Sequence, residues 1–240
     1  ATGTSSENPR AELYSFGTGK RELIGETRLD STITSFESIK YAKTDEGTSI
    51  YADALCADGS SMVTEFIYWS DYYNSIISPF YSYSTGRTKE TLRSSQVTCR
   101  DIDDDGYIEI PEDTSSKKQS SEITSQNWLN YGNTVLSHKC YSFSCKRDGY
   151  ILVIDDDDFS KVKANYDSES RKLTIIDKKN KSNVFEIVTL INSNYSVNDP
   201  KYKDYTMIMK NSGFVYLAKV NKSSDIDINI QTLKDMIKVY

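Results

Sequence analysis

Apolar residues at every second position, in short runs broken by glycine-bearing turns, leave this chain of 240 residues little choice but sheet. "AELYSF" and "RELIGETRL" flank "GTGK" and read as a hairpin, with glycines placed for positive φ. "SIYADALCADGSSMVTEFIYW" gives two more strands around "ADGS", and "QVTCRDI" and "YIEI" are short alternating runs. Eighteen tyrosines against eight phenylalanines and two tryptophans suit half-exposed strand faces. Further strands are expected at "GYILVI", "KVKANYD", "KLTIID" and "NVFEIVTLI", followed by the hairpin "YTMIMK-NSG-FVYLAKV". The chain closes with "INIQTLKDMIKVY". There Ile230, Leu233, Met236 and Ile237 fall at helical spacing, and Asp227 or Asn229 offers a cap. "NWLNYGNTVL" fits a short helix or a strand entry, and the pattern does not separate the two.

The expected fold is β-rich plus α+β: an N-terminal antiparallel meander, then an antiparallel sheet with a terminal helix. Residues 111–127, "PEDTSSKKQSSEITSQN", are polar throughout, and the boundary is placed inside them. The expected division is 1–113, a linker at 114–127, and 128–240.

Hydrophobic content of 37% is enough for a core, while a mean hydropathy of −0.57 makes the surface polar. A net charge of −6 argues against a nucleic-acid partner, which calls for a basic stripe. Abundant Lys, Asn, Ile and Tyr with scarce Pro and Gly fit an AT-rich bacterial genome. "ATGTSSENPRAE" has no initiator Met and no apolar segment, so it reads as mature or trimmed. The longest apolar runs, such as "YILVI", are too short to span a bilayer. Cys56, Cys99, Cys140 and Cys145 allow three pairings, and no C-x-x-C spacing points to zinc or redox chemistry.

The stretch that carries chemistry is "CRDIDDDGYIEIPED", residues 99–113. Four aspartates within five positions repel unless something positive sits among them or water screens them. Counted from Asp101, acids stand at positions 1, 3 and 5, glycine at 6, Ile108 at 8, and acids again at 9 and 12. Calcium takes six to eight oxygens, and alternate carboxylates in a tight loop can turn inward to supply them. Gly106 permits the turn that lets the Tyr107 carbonyl face an ion. An EF-hand would close the site with Glu112 and would need helices on both sides. The strand-like flanks favour Glu109 instead.

"DIDDDGYIEI" resembles the D-x-D-x-D-G-x-x-[DE] loop of FG-GAP or VCBS-type repeats, which lies between strands of a propeller blade. The resemblance implies Ca²⁺ held by the side chains of Asp101, Asp103 and Asp105, the carbonyl of Tyr107 and the carboxylate of Glu109. With the tyrosine-rich strands before it, "DIDDDGYIEIPE" also resembles uncharacterised surface lipoproteins of low-GC Gram-positive bacteria. That likeness implies an extracytoplasmic, cell-surface chain and leaves room for a lipid anchor upstream. "DGYILVIDDDDFSKVKANYD" is similar in rhythm to the opening of PsbP-like α+β domains, without their usual proline. Asp155 to Asp158 lack alternate spacing and a glycine, and read as a solvated turn.

The chain has one histidine, His138, in "LSHKC", which any histidine-based acid–base mechanism would have to use. No G-x-S-x-G, H-E-x-x-H, Walker or Rossmann pattern occurs. The expectation is a non-enzymatic calcium-binding surface protein with a binding, adhesion or structural role toward a glycan or protein ligand. The competing expectation is a carboxylate-based hydrolase acting on glycan or peptidoglycan, built from acids that meet in a cleft.

Overall fold

A computed structural model describes residues 9–17, 19–114, 122–192, 196, 199–221 and 226–240. The chain divides into two units. Residues 1–113 and 128–139 form the first, and residues 114–127 and 140–240 the second.

The first unit begins with the expected hairpin, β1 (Arg10–Ser15) against β2 (Glu22–Arg28). A four-stranded antiparallel meander follows: β3 (Ile33–Thr44), β4 (Gly47–Cys56), β5 (Met62–Ser70) and β6 (Ser75–Ile77), hydrogen-bonded in chain order. Two short strands, β7 (Tyr81–Ser82) and β8 (Arg87–Thr88), pair with each other. Register places Tyr51 opposite Phe66 and Asp53 opposite Thr64, so these side chains share one face of the meander. On that face Tyr51, Phe66 and Tyr68 pack with Cys99, Ile108, Ile110 and Tyr131. The opposite face buries Leu29, Ile67 and Ile76 in a separate cluster.

After β9 (Ile110–Asp113), the long strands β10 (Ile123–Gly132) and β11 (Val135–Cys145) form a hairpin. Its tip, residues 128–139, belongs to the first unit and its stem to the second. "NWLNYGNTVL" is therefore strand, turn and strand rather than helix. Asn133 and Thr134 take φ of 52° and 66°, the left-handed pair of a two-residue type I′ turn.

The second unit continues with β12 (Tyr150–Ile154), α1 (Asp156–Phe159), β13 (Val162–Asp167), β14 (Lys172–Asp177) and β15 (Asn183–Ile191). After a 3-10 turn at Pro200–Tyr202 come β16 (Thr206–Lys210), β17 (Phe214–Val220), α2 (Ile230–Met236) and β18 (Ile237–Val239). An antiparallel sheet in the order β13–β14–β15–β17–β16 shares a core with the stem of β11, β12, β18 and α2. Asn229, one of the two cap candidates, accepts from the Gln231 and Thr232 N–H groups. The helix buries Leu233 and gives way at Ile237 to strand. No helix among the described residues is long and apolar enough to cross a membrane.

The expected linker at 114–127 is corrected on two points. Residues 115–121 lie outside the described set, but Ile123–Asn127 are strand, and the Thr114 N–H donates to the Ser125 carbonyl at 3.0 Å. Ser125 and Gln126 are buried although polar, because Gln126 Oε1 accepts from Ser144 Oγ at 2.6 Å and Thr114 Oγ1 meets Ser125 Oγ at 2.5 Å. Residues 128–139, expected in the C-terminal domain, group with the first unit. "QVTCRDI" is not a strand: only Arg100 makes a bridge, to Glu109. All four cysteines are thiols. Cys140 and Cys145 are five apart on β11, so they point to opposite faces of the strand.

The first unit is tied together by a buried ion pair. Arg93 Nη2 lies 2.7 Å from Asp53 Oδ1, with both side chains at 0% exposure. The guanidinium also donates to Thr64 Oγ1 (2.9 Å), the Thr91 carbonyl (3.1 Å) and the Val97 carbonyl (2.8 Å). Removing one partner of such a pair leaves an uncompensated buried charge, so Arg93→Met should cost about 3–5 kcal/mol. Urea denaturation measures this, and a loss under about 1 kcal/mol would refute the role given to the pair. Thr134 is β-branched and held left-handed, a strained conformation, so Thr134→Gly should raise stability by about 1 kcal/mol in the same assay.

Candidate metal centre

The acidic loop starts from a fixed point. The Cys99 N–H donates to Asp53 Oδ2 at 2.9 Å, its thiol lies 3.2 Å from Asp53 Oδ1, and its carbonyl accepts from the Lys40 ammonium. The loop closes on a two-way backbone bridge, Arg100 N–H to the Glu109 carbonyl (3.2 Å) and Glu109 N–H to the Arg100 carbonyl (2.9 Å). Between these ends Ile102, 0% exposed, and Ile108, 7% exposed, are buried and peg the loop to the protein.

Asp101 organises the turn itself. Its Oδ1 accepts from the Asp105 N–H at 3.0 Å and its Oδ2 from the Gly106 N–H at 2.8 Å. Gly106 has φ of +91°, and a Cβ there would meet nothing within 4 Å. Backbone conformation, not space, is what calls for glycine at this position.

One carboxylate oxygen from each of Asp101, Asp103 and Glu109 lies within 4.8 Å of the others. This is the one such acidic group found among the described residues. Glu109 is the informative member. Its side chain is fully buried, and Oε2 accepts from the Ile102 N–H at 2.9 Å, but Oε1 has no donor among the described residues. Burial, together with the charges of Asp103, Asp105 and Asp101, pushes its carboxyl up to about 7 against the pull of the Ile102 hydrogen bond. A buried carboxylate oxygen left unmatched among other carboxylates is costly, and a cation is what would answer it. An all-oxygen donor set suits a hard cation such as Ca²⁺.

Asp105, the other side chain expected as a ligand, is outside that trio. Its Oδ1 accepts from the Tyr107 N–H at 2.9 Å, and its Oδ2 meets Lys139 Nζ at 2.6 Å. The same ammonium lies 3.0 Å from Asp103 Oδ2. Its hydrogen bond lowers the Asp105 carboxyl, and the two aspartates raise the lysine. The Tyr107 side chain is 45% exposed. Lys139 escaped sequence reasoning because it stands 34 residues from Asp105, on β11 rather than in the loop.

Glu112, the EF-hand alternative, is exposed on β9, so a strand and not a helix follows the loop. Asp156–Asp158 form the first turn of the four-residue α1, and Asp158 pairs with Lys161 at 3.1 Å. His138 is exposed on β11. No protein-family model, no curated protein and no solved structure matches this chain.

Glu109→Gln separates the metal reading from a purely structural loop. With chelator present, the variant should melt at or above the wild-type temperature, because the unmatched buried charge is gone. Wild type alone should gain stability from CaCl₂, about 2.7 kcal/mol at a hundredfold excess over Kd. Calorimetry in each condition reads both effects, and an equal calcium-induced shift in the variant would remove Glu109 from the site.

Proposed function

We propose that this chain is a calcium-stabilised, extracytoplasmic surface module of a bacterium, with a binding or structural role. The observation that carries the reading is Glu109, which converges with Asp101 and Asp103 and whose buried Oε1 has no donor among the described residues. Asp101, Asp103 and Glu109 would hold Ca²⁺, with Asp105 and the Tyr107 carbonyl completing the set that the FG-GAP or VCBS resemblance implies. The four-stranded meander β3–β6 supports a propeller-blade-like reading of the first unit. The antiparallel sheet and closing helix of the second support a PsbP-like one.

Two further features favour binding over hydrolysis. Asp30 and Glu65, the acidic pair buried in the first unit apart from the loop, are both 0% exposed. Every oxygen of the two accepts a hydrogen bond: Asp30 from Thr32, Arg87 and Thr88, and Glu65 from Asp30 N–H, Thr88 and Ser78. Carboxylates satisfied in this way hold the corner of the fold together. By contrast, Tyr72 and Tyr73, between β5 and β6, are 88% and 65% exposed and pack edge to face at 4.9 Å. Exposed aromatic rings of this kind suit stacking on a glycan.

Co-sedimentation with purified bacterial cell-wall sacculi tests the proposal. The chain should pellet in CaCl₂, less in chelator, and less again when Tyr72 and Tyr73 are both alanine. Failure to pellet in either condition would refute wall binding, and release of soluble sugar fragments would put the hydrolase first.

A further inference from the structure

We infer that Lys139 is a tethered cation that regulates the acidic loop, holding Asp105 in reserve until a metal ion displaces its ammonium. This rests on the calcium reading of the same site and adds a competitor to it. Lys139 Nζ bridges Asp103 Oδ2 at 3.0 Å and Asp105 Oδ2 at 2.6 Å, with its side chain 29% exposed. The ammonium thus satisfies the outer carboxylates of the loop and leaves the inner one, Glu109, unanswered at Oε1.

Asp103 is the point of conflict. It belongs to the trio that converges with Glu109, and it is also one of the two groups that Lys139 holds. A divalent ion on that carboxylate would stand a few ångströms from the ammonium, and two cations so close repel strongly. Ion binding therefore weakens the lysine bridge. Asp105 then loses its partner and has the free oxygen to enter the coordination sphere, as its alternate spacing with Asp101 and Asp103 allows. Without the ion, Lys139 offsets part of the repulsion within a loop that its own hydrogen bonds and isoleucines hold in shape; with it, the same lysine sets a threshold that the ion must exceed.

Calorimetric titration of CaCl₂ into the full chain, Lys139→Met and Lys139→Arg tests this, together with side-chain NMR of Lys139 in the wild type. Lys139→Met should bind about fivefold tighter, the scale of one part-exposed ion pair, and Lys139→Arg should stay close to wild type. The Lys139 Nζ signal should move as calcium saturates the protein. Equal or weaker binding by Lys139→Met while the wild type binds, or a Lys139 signal unmoved at saturation, would overturn the inference alone. Absence of calcium binding in all three proteins would overturn the site and the competitor together.

Discussion

Asp53 and Arg93 meet with both side chains out of water, and the geometry of the first unit follows from that contact. Burying two charges costs several kcal/mol per ion unless mutual attraction and further hydrogen bonds compensate. Here the arginine donates to three groups besides the aspartate, and the aspartate also accepts from Thr64 Oγ1 at 2.7 Å and from the Cys99 N–H. These bonds, with the two-way backbone bridge between Arg93 and Met62, fasten residues 91–99 to the β4–β5 face. The acidic loop begins at the next residue but one. A similar arrangement serves the second unit, where buried Asp148 binds Arg171 at 2.6 Å and the Tyr166 hydroxyl at 2.8 Å.

The loop is shaped by its own hydrogen bonds and packing. Asp101 closes the turn at Asp105 and Gly106, Glu109 caps the Ile102 N–H, and two isoleucines anchor it. Preorganisation lowers the entropy lost on binding, and it holds like charges together at an electrostatic cost. Lys139 offsets part of that cost at the exposed end. Among the described residues no donor offsets it at Glu109 Oε1, and the calcium reading follows from this imbalance.

Much of this was legible in the chain. Alternation located most strands, the NSG turn joined β16 to β17, and the 1-3-5-9 spacing marked the loop where Asp101, Asp103 and Glu109 converge, though it also included Asp105, which pairs with Lys139 instead. The failures share a cause, which is polar groups satisfied by distant partners. "QVTCRDI" alternates because Val97 and Cys99 are buried, but the Val97 carbonyl and the Cys99 N–H bond to side chains of Arg93 and Asp53 rather than to a strand. Residues 123–127 look like linker because serine and glutamine are polar, yet Gln126 is buried against Ser144. The polar stretch in which the boundary is expected begins at Pro111. That proline lies in β9, the last strand in its sheet order, where a missing N–H is tolerated. Lys139 carries no local signal at all.

The central claim is that Glu109 is buried in order to ligate a cation with Asp101 and Asp103. A crystal structure of the full chain grown in CaCl₂ tests it most directly. The account predicts an ion about 2.3–2.6 Å from an oxygen of each of the three carboxylates, with Glu109 Oε1 as one ligand. A loop without an ion at saturating calcium, its Glu109 Oε1 bound instead to a water or a protein donor, would contradict it.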